Sequence, residues 1–175
     1  MSEPRVLISE QEIAAKVSEL ANRISSDYAG IEDLVMVGVL KGSFIFLADL
    51  SRRLTIPRSV DFMALSTYGN ATKTDGAVRM IMDLRRSITG RHVLVVEDIV
   101  DTGYTISYLL RTLATRQPAS LKTCVLVQKP DRRRVPVQID YLGFEIPDVW
   151  VVGFGLDWSE RYRTLPYIGV VEPGG

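Results

Sequence analysis

Residues 93 to 105, Val-Leu-Val-Val-Glu-Asp-Ile-Val-Asp-Thr-Gly-Tyr-Thr, constrain the fold more than any other stretch of this 175-residue chain. Val93 to Val96 are apolar without alternation, the pattern of a strand covered on both faces. Glu97 and Asp98 end that run. After Ile99 and Val100, the loop Asp101-Thr102-Gly103-Tyr104-Thr105 opens a helix expected over residues 103 to 114, with Ile106, Leu109, Leu110 and Leu113 on one face. A buried strand, a tight glycine loop and a helix in succession belong to a sheet with helices packed on it. Ligands of such sheets bind beyond the carboxyl ends of the strands, where Glu97 and Asp98 stand.

The rest of the chain fits the same plan. Ser9-Glu10-Gln11-Glu12 reads as a capping box, and Ile13, Val17, Leu20, Ala21 and Ile24 follow at helical spacing. Leu34 to Leu40 is a second buried strand. Lys41-Gly42-Ser43 breaks it, and Phe44 to Leu54 has helical periodicity. Further strands are expected at Val60 to Ser66, Arg79 to Leu84, His92 to Val96 and Leu121 to Val127. Shorter ones are expected at Gln138 to Phe144, Val149 to Phe154 and Leu165 to Val171. Thr67 to Ala77 is polar and is expected as a long loop, of a kind that often serves as a lid. Strands alternating with helices from residue 34 to 127 predict an α/β fold with a central parallel sheet flanked by helices. No repeat, low-complexity segment or linker divides the chain, so one domain over residues 1–175 is expected.

The chemistry of the central segment follows from its residue types. Backbone N–H groups and the helix dipole at Thr102 to Thr105 suit a phosphate, and Gly103 permits close approach. Carboxylates beside a phosphate need a reason, because two unit charges ~5 Å apart repel by roughly 3 kcal/mol at an effective dielectric of 20. The acids make sense if they face sugar hydroxyls or a divalent cation such as Mg²⁺. A phosphorylated ribose with free hydroxyls meets both conditions.

Composition removes several alternatives. Lys plus Arg and Asp plus Glu number 21 each, so no global charge draws the chain to nucleic acid or to an anionic membrane. Cys124 and His92 are the only residues of their types, which excludes an intrachain disulfide, a cysteine zinc site and a histidine cluster. Met1 to Glu12 lacks an apolar signal core, and no apolar run approaches the ~20 residues of a membrane span. A cytoplasmic location is expected. Asp101-Thr102-Gly103 has no second copy to form an aspartic-protease dyad. Gly153-Phe154-Gly155 lacks the third glycine of a dinucleotide fingerprint. Taken singly, other residues have plain readings: Lys41 and Lys129 as solvated lysines, Asp157 as a helix cap, Trp150 and Cys124 as core. Arg132 to Arg134 reads as a solvated turn, open to a subunit contact, and His92 has no evident partner.

Residues 93 to 105 resemble the signature of the type I phosphoribosyltransferases. Leu40-Lys41-Gly42-Ser43 resembles the pyrophosphate loop of one branch, and Lys129, Trp150-Val151, Asp157 and Arg163 follow in its order and spacing. Phe144-Glu145-Ile146-Pro147-Asp148 and Arg161 to Tyr167 are similar to the 6-oxopurine enzymes of that family, the hypoxanthine(-guanine) phosphoribosyltransferases. The likeness spans residues 6 to 171 and implies the type I phosphoribosyltransferase fold, with a small hood built from parts of residues 1–20 and 138–175.

The resemblance also implies residue roles. Glu97 and Asp98 would hold ribose hydroxyls and the hydration shell of Mg²⁺. Asp101, Thr102, Gly103, Tyr104 and Thr105 would bind the 5′-phosphate, with Asp101 also exchanging a proton with N7 of the purine. Lys129 would donate to the 6-oxo group, Trp150 would stack on the base, and the Val151 backbone would meet its edge. Lys41 and Gly42 would offer backbone N–H groups to pyrophosphate, Arg163 would add positive charge to it, and Asp157 would bind a second Mg²⁺ against it. The peptide before Lys41 can be a non-proline cis bond in that family. Thr67 and Tyr68, where the family usually has Ser-Tyr, would lie on a mobile closing loop. The implied reaction is purine salvage: hypoxanthine or guanine and 5-phospho-α-D-ribose 1-diphosphate give IMP or GMP and pyrophosphate. A homodimer or homotetramer is implied, without nucleic acid or membrane partners. Two other functions compete: a nucleotide-sensing regulator on the same fold, and a transferase for uracil, adenine or orotate. Asp101 argues against the first, and Lys129 with Trp150-Val151 against the second.

Overall fold

Helix α1 (Glu10–Asp27) begins as its sequence requires. Ser9 Oγ accepts from the Glu12 N–H at 3.3 Å, and the Glu12 carboxylate accepts from the Ser9 N–H at 2.8 Å. The two free donors at the helix start are thereby satisfied reciprocally. Ile13, Val17, Leu20, Ala21 and Ile24 are buried along one stripe. The computed structural model describes residues 3–68 and 77–172.

The stripe of α1 and that of α2 (Phe44–Arg53) pack on a six-stranded sheet. Its strands are β2 (Leu34–Leu40), β3 (Arg58–Tyr68), β4 (Ala77–Met82), β5 (His92–Val100), β6 (Ser120–Gln128) and β7 (Tyr141–Glu145), in the order β4-β3-β2-β5-β6-β7. All pairings are parallel except β3 with β4. Leu94 and Val96 of β5 join the α1–α2 core, whereas Val93 and Val95 join Ile106, Leu109 and Leu113 of α3 (Tyr104–Ala114) on the other face. Both faces of β5 are covered, which is why its sequence shows no alternation. Leu94 is fully buried, and truncating it to Ala would cost about 2–5 kcal/mol.

A second sheet of three antiparallel strands combines β1 (Arg5–Ile8), β9 (Ile168–Val170) and β8 (Val151–Val152), in the order β1-β9-β8. It is built from the segments of the expected hood, except that β7 joins the main sheet beside β6.

Several boundaries differ from the sequence reading, for local reasons. β5 runs on to Val100, because Ile99 and Val100 stay paired with Val127 and Gln128 of β6. Glu97 and Asp98 therefore lie inside the strand, not after it. The strand expected at Val149 to Phe154 is reduced to two residues, because Gly153, Phe154 and Gly155 all have positive φ, at 96°, 50° and 107°. β3 is longer than expected: Thr67 and Tyr68 belong to it and pair with Val78 and Ala77 of β4. The remainder of the expected lid, residues 69–76, lies outside the described residues.

The chain leaves β2 through α2 to β3 on one side, and leaves β5 through α3 to β6 on the other. The neighbouring strands β2 and β5 thus diverge at their carboxyl ends, which is where open sheets form a ligand crevice.

Candidate active site

At the crevice between β2 and β5, a glycine lets the two chain segments approach closely. β2 ends at a cis peptide between Leu40 and Lys41, and the next residue, Gly42, packs directly on the Asp98 carboxylate. A Cβ at position 42 would overlap that carboxylate. Ser43 is fully buried and donates through Oγ to the Val39 carbonyl at 2.8 Å, fixing the turn into α2.

Glu97 and Asp98 are 7% and 8% exposed. The Asp98 N–H donates to Glu97 Oε1 at 3.3 Å. Burial, and then the neighbouring Asp98 charge, hold the Glu97 carboxyl well above the usual carboxylate range. Burial raises Asp98 too, offset in part by hydrogen bonds from Glu97 and from the Ile99 N–H and by the charge of Arg163.

The shift has a consequence for stability. A carboxyl raised on folding binds more protons in the native than in the unfolded state, so its contribution is present at low pH and is lost as pH rises through the raised value. Glu97→Gln has no such proton to lose. In ligand-free protein it is expected to raise Tm at pH 8, by about 2–4 °C per kcal/mol relieved, with little gain at pH 5. Thermal unfolding at both pH values checks this, and an equal Tm difference at the two would refute it.

The loop expected to bind phosphate, Asp101 to Thr105, lies against these acids. Gly103, at φ 92°, precedes α3, and no side chain caps the helix. A Cβ at Gly103 would meet the Val135 carbonyl oxygen at 2.8 Å, so the position needs glycine on both counts. Glu97, Asp98, Asp101, Thr102, Gly103 and Thr105 line a lobe of about 280 Å³. A second lobe of about 700 Å³ is lined by Lys41, Lys129, Trp150, Val151, Asp157 and Arg163, among others. The lobes share Gly42, Asp98, Ile99 and Asp101, and so form one cleft. Tyr104 is exposed beside the loop.

In the larger lobe several plain readings fail. Lys129 is 7% exposed, not solvated, and its Nζ lies 3.7 Å from Asp148 Oδ1. Trp150 is 62% exposed on the cleft rim, not core. Asp157 caps no helix: its carboxylate accepts from the Glu160 N–H at 2.7 Å and pairs with Arg163 at 2.8 Å. Arg163 also donates to the Gly155 carbonyl at 2.7 Å. The turn at Arg132 to Arg134 is not simply solvated either. Arg132 donates to Asp101 at 2.6 Å, and Arg133 donates to Gln128 Oε1 at 2.7 Å. His92 has a partner, Ser120 Oγ at 2.7 Å from Nδ1, and Cys124 is buried as expected. Thr67 and Tyr68 are placed by their backbone in β3.

Of two residues that sequence reasoning passed over, Glu160 lines the cleft and Arg132 bonds a residue that does. Glu160 accepts from Lys41 at 3.0 Å and pairs with Arg163 at 3.3 Å, joining the two cations. Arg132 joins Asp101 to Asp148. The signals were present: Glu160 stands three residues from both Asp157 and Arg163, and Arg132 three residues after Lys129.

The carboxylates Glu97, Asp98 and Asp157 are the hard oxygen donors that Mg²⁺ prefers, and Glu97 and Asp98 are buried with no ion pair to a cationic side chain among the described residues other than Arg161. Among the described residues no three His, Cys, Asp or Glu converge on one point. A cation here would take most of its oxygens from substrate and water, as Mg²⁺ at phosphates does. Among the described residues no helix is long and apolar enough to cross a membrane.

A crevice at the β2/β5 switch point, a glycine loop at a helix N-terminus and paired strand acids form a site suited to a phosphorylated sugar. Comparison with known proteins agrees: the phosphoribosyl transferase domain model matches residues 7–159, and the chain belongs to that family. It is 48% identical to a hypoxanthine-guanine phosphoribosyltransferase of Mycobacterium avium, over 96% of this chain and 85% of that protein. It is equally identical to a hypoxanthine phosphoribosyltransferase of Haemophilus influenzae, over 95% and 94%. A crystal structure of a hypoxanthine-guanine phosphoribosyltransferase from Bacillus anthracis superposes with a TM-score of 0.92 at 45% identity, covering 97% of this chain and all of that one.

Proposed function

We infer that the chain transfers the 5-phosphoribosyl group of 5-phospho-α-D-ribose 1-diphosphate to hypoxanthine and/or guanine, releasing pyrophosphate, a purine-salvage reaction. The observation that carries this reading is the place of Asp101. It lines both lobes of the cleft, with the phosphate loop on one side and buried Lys129 with exposed Trp150 on the other.

The side chains divide the work accordingly. Thr102 to Thr105 hold the 5′-phosphate on backbone N–H groups and hydroxyls. Glu97 and Asp98 accept from ribose hydroxyls. Lys129 donates to the purine 6-oxo group, Trp150 stacks on the base, and the Val151 backbone meets its edge. Asp101 accepts the N7 proton as the bond to N9 forms. Lys41 and Gly42 offer backbone N–H groups to the pyrophosphate and Arg163 adds positive charge, while Thr67 and Tyr68, at the end of β3, cover the reacting centre and exclude water. Glu97 with Asp98, and Asp157, would hold Mg²⁺, which supplies positive charge against the diphosphate oxygens. The test is pyrophosphate release with hypoxanthine, guanine and xanthine in turn, with the diphosphate sugar and Mg²⁺. Release with none of them, or release undiminished by a chelator, would overturn the assignment.

The Glu160 carboxylate pairs with Arg163, the cation assigned to pyrophosphate, and with the side chain of Lys41, whose backbone N–H is assigned there, so it competes with pyrophosphate for this positive charge. Glu160→Gln is expected to lower KM for the diphosphate sugar about threefold, the size of an exposed ion pair, with kcat within twofold. Initial-rate kinetics at saturating base check it, and a raised KM would count against it.

A further inference from the structure

Asp101 does not stand alone on the cleft floor. Arg132 Nε donates to its Oδ1 at 2.6 Å. On the far side of the same guanidinium, Arg132 Nη1 lies 3.6 Å from Asp148 Oδ2, and Asp148 Oδ1 lies 3.7 Å from Lys129 Nζ. Asp101, Arg132, Asp148 and Lys129 thus form a row of alternating charge. It joins the acid at the phosphate loop to the buried lysine of the larger lobe.

The backbone makes this row more than a chance surface pair. Arg132 ends a single 3₁₀ turn (Pro130–Arg132) that follows β6. That turn is tied to the phosphate-loop segment at both ends. The Lys129 N–H donates to the Val100 carbonyl at 3.0 Å, and the Arg134 and Val135 N–H groups donate to the Thr102 carbonyl at 2.9 and 3.1 Å. Val100 and Thr102 are the two neighbours of Asp101. The Gly103 position closes the same seam, since the Val135 carbonyl lies where a side chain at 103 would begin. A pair of free surface side chains gains little, because ordering two long chains offsets the Coulomb attraction. Here both backbones are already fixed relative to each other, so less ordering is needed to hold the pair.

We propose that Arg132 is a positioning residue for Asp101: it occupies Oδ1 and so orients Oδ2 toward N7 of the bound purine. Arg132 itself touches neither base nor sugar. Its contribution passes through Asp101, and the inference rests on the role given to Asp101 above. Asp148 keeps the guanidinium from swinging into solvent, and through the same carboxylate it ties the donor for the 6-oxo group to the acceptor for the N7 proton.

The experiment is a double-mutant cycle on kcat, run with Arg132→Gln, Asp101→Asn and the pair, each with a thermal unfolding curve. Arg132→Gln is expected to lower kcat about fivefold, with KM for the diphosphate sugar within twofold and Tm within about 2 °C. In the Asp101→Asn background the same substitution should change kcat by less than twofold, because the group it acts through is gone. A merely structural arginine would lower kcat by the same factor in both backgrounds. That result, an unchanged kcat, or a loss confined to sugar KM overturns the role of Arg132 while leaving that of Asp101 intact. An undiminished kcat in Asp101→Asn alone would instead remove the assignment of Asp101, and the positioning role with it.

Discussion

Asp101→Asn should lower kcat by about 100-fold or more while KM for the diphosphate sugar stays within about threefold. The two sides of the prediction come from different parts of the residue. Its backbone and its neighbours Thr102 to Thr105 make the phosphate lobe, and asparagine leaves them in place. The carboxylate alone can take a proton, and asparagine cannot. Binding is therefore preserved and the proton transfer is lost. Asparagine also keeps an oxygen for Arg132, so the seam between the phosphate loop and the following turn survives. The measurement is kcat and both KM values at saturating Mg²⁺. If sugar KM rises as much as kcat falls, Asp101 is only a phosphate-loop element.

Lys129→Gln is expected to reduce kcat/KM for hypoxanthine by about 10–100-fold, the worth of a hydrogen bond to a charged donor, and to narrow its preference over adenine. Lys129 is 7% exposed, and its ion-pair partner among the described residues, Asp148, is 3.7 Å away, beyond hydrogen-bond reach. A 6-oxopurine would supply the closer oxygen. A 6-aminopurine would put a second donor against the first and leave the buried lysine without that acceptor. Glutamine carries both an acceptor and a donor and can turn to suit either base. Competition between hypoxanthine and adenine for one pool of diphosphate sugar reads the ratio directly. An unchanged ratio would remove the contact assigned to Lys129.

The α/β plan was legible because β2 and β5 are unbroken apolar runs and α3 is apolar at helical spacing, patterns that a single sequence displays. The phosphate loop was legible for a related reason: its residues are contiguous, so their spacing is preserved in the chain. The ion pairs of the cleft were not. Lys41 and Glu160 are 119 residues apart, and Arg132 is 31 residues from Asp101. Periodicity carries no information about such partners, and each residue taken singly looks like an ordinary surface charge. Strand ends were misplaced where backbone geometry, not side-chain pattern, decides them. Positive φ at Gly153 to Gly155 cuts β8 short, and pairing with β6 extends β5 past its acids. The burial of Lys129 shows the same limit. A lysine after a strand reads as solvated until the fold sets Asp148 and Trp150 beside it.

The three-stranded sheet carries one side of the proposed purine site on a different mechanical part of the molecule from the other. Under the roles proposed above, the sugar-phosphate end rests on the main sheet and the base is shared: Lys129 follows β6, whereas Trp150 and Val151 hang from a ladder in which Val151 pairs with Val170 and Val170 pairs with Arg5. A tether pulling on residue 5 loads that ladder through two strand pairings, so the stacking side of the purine site should feel the force before its lysine side does.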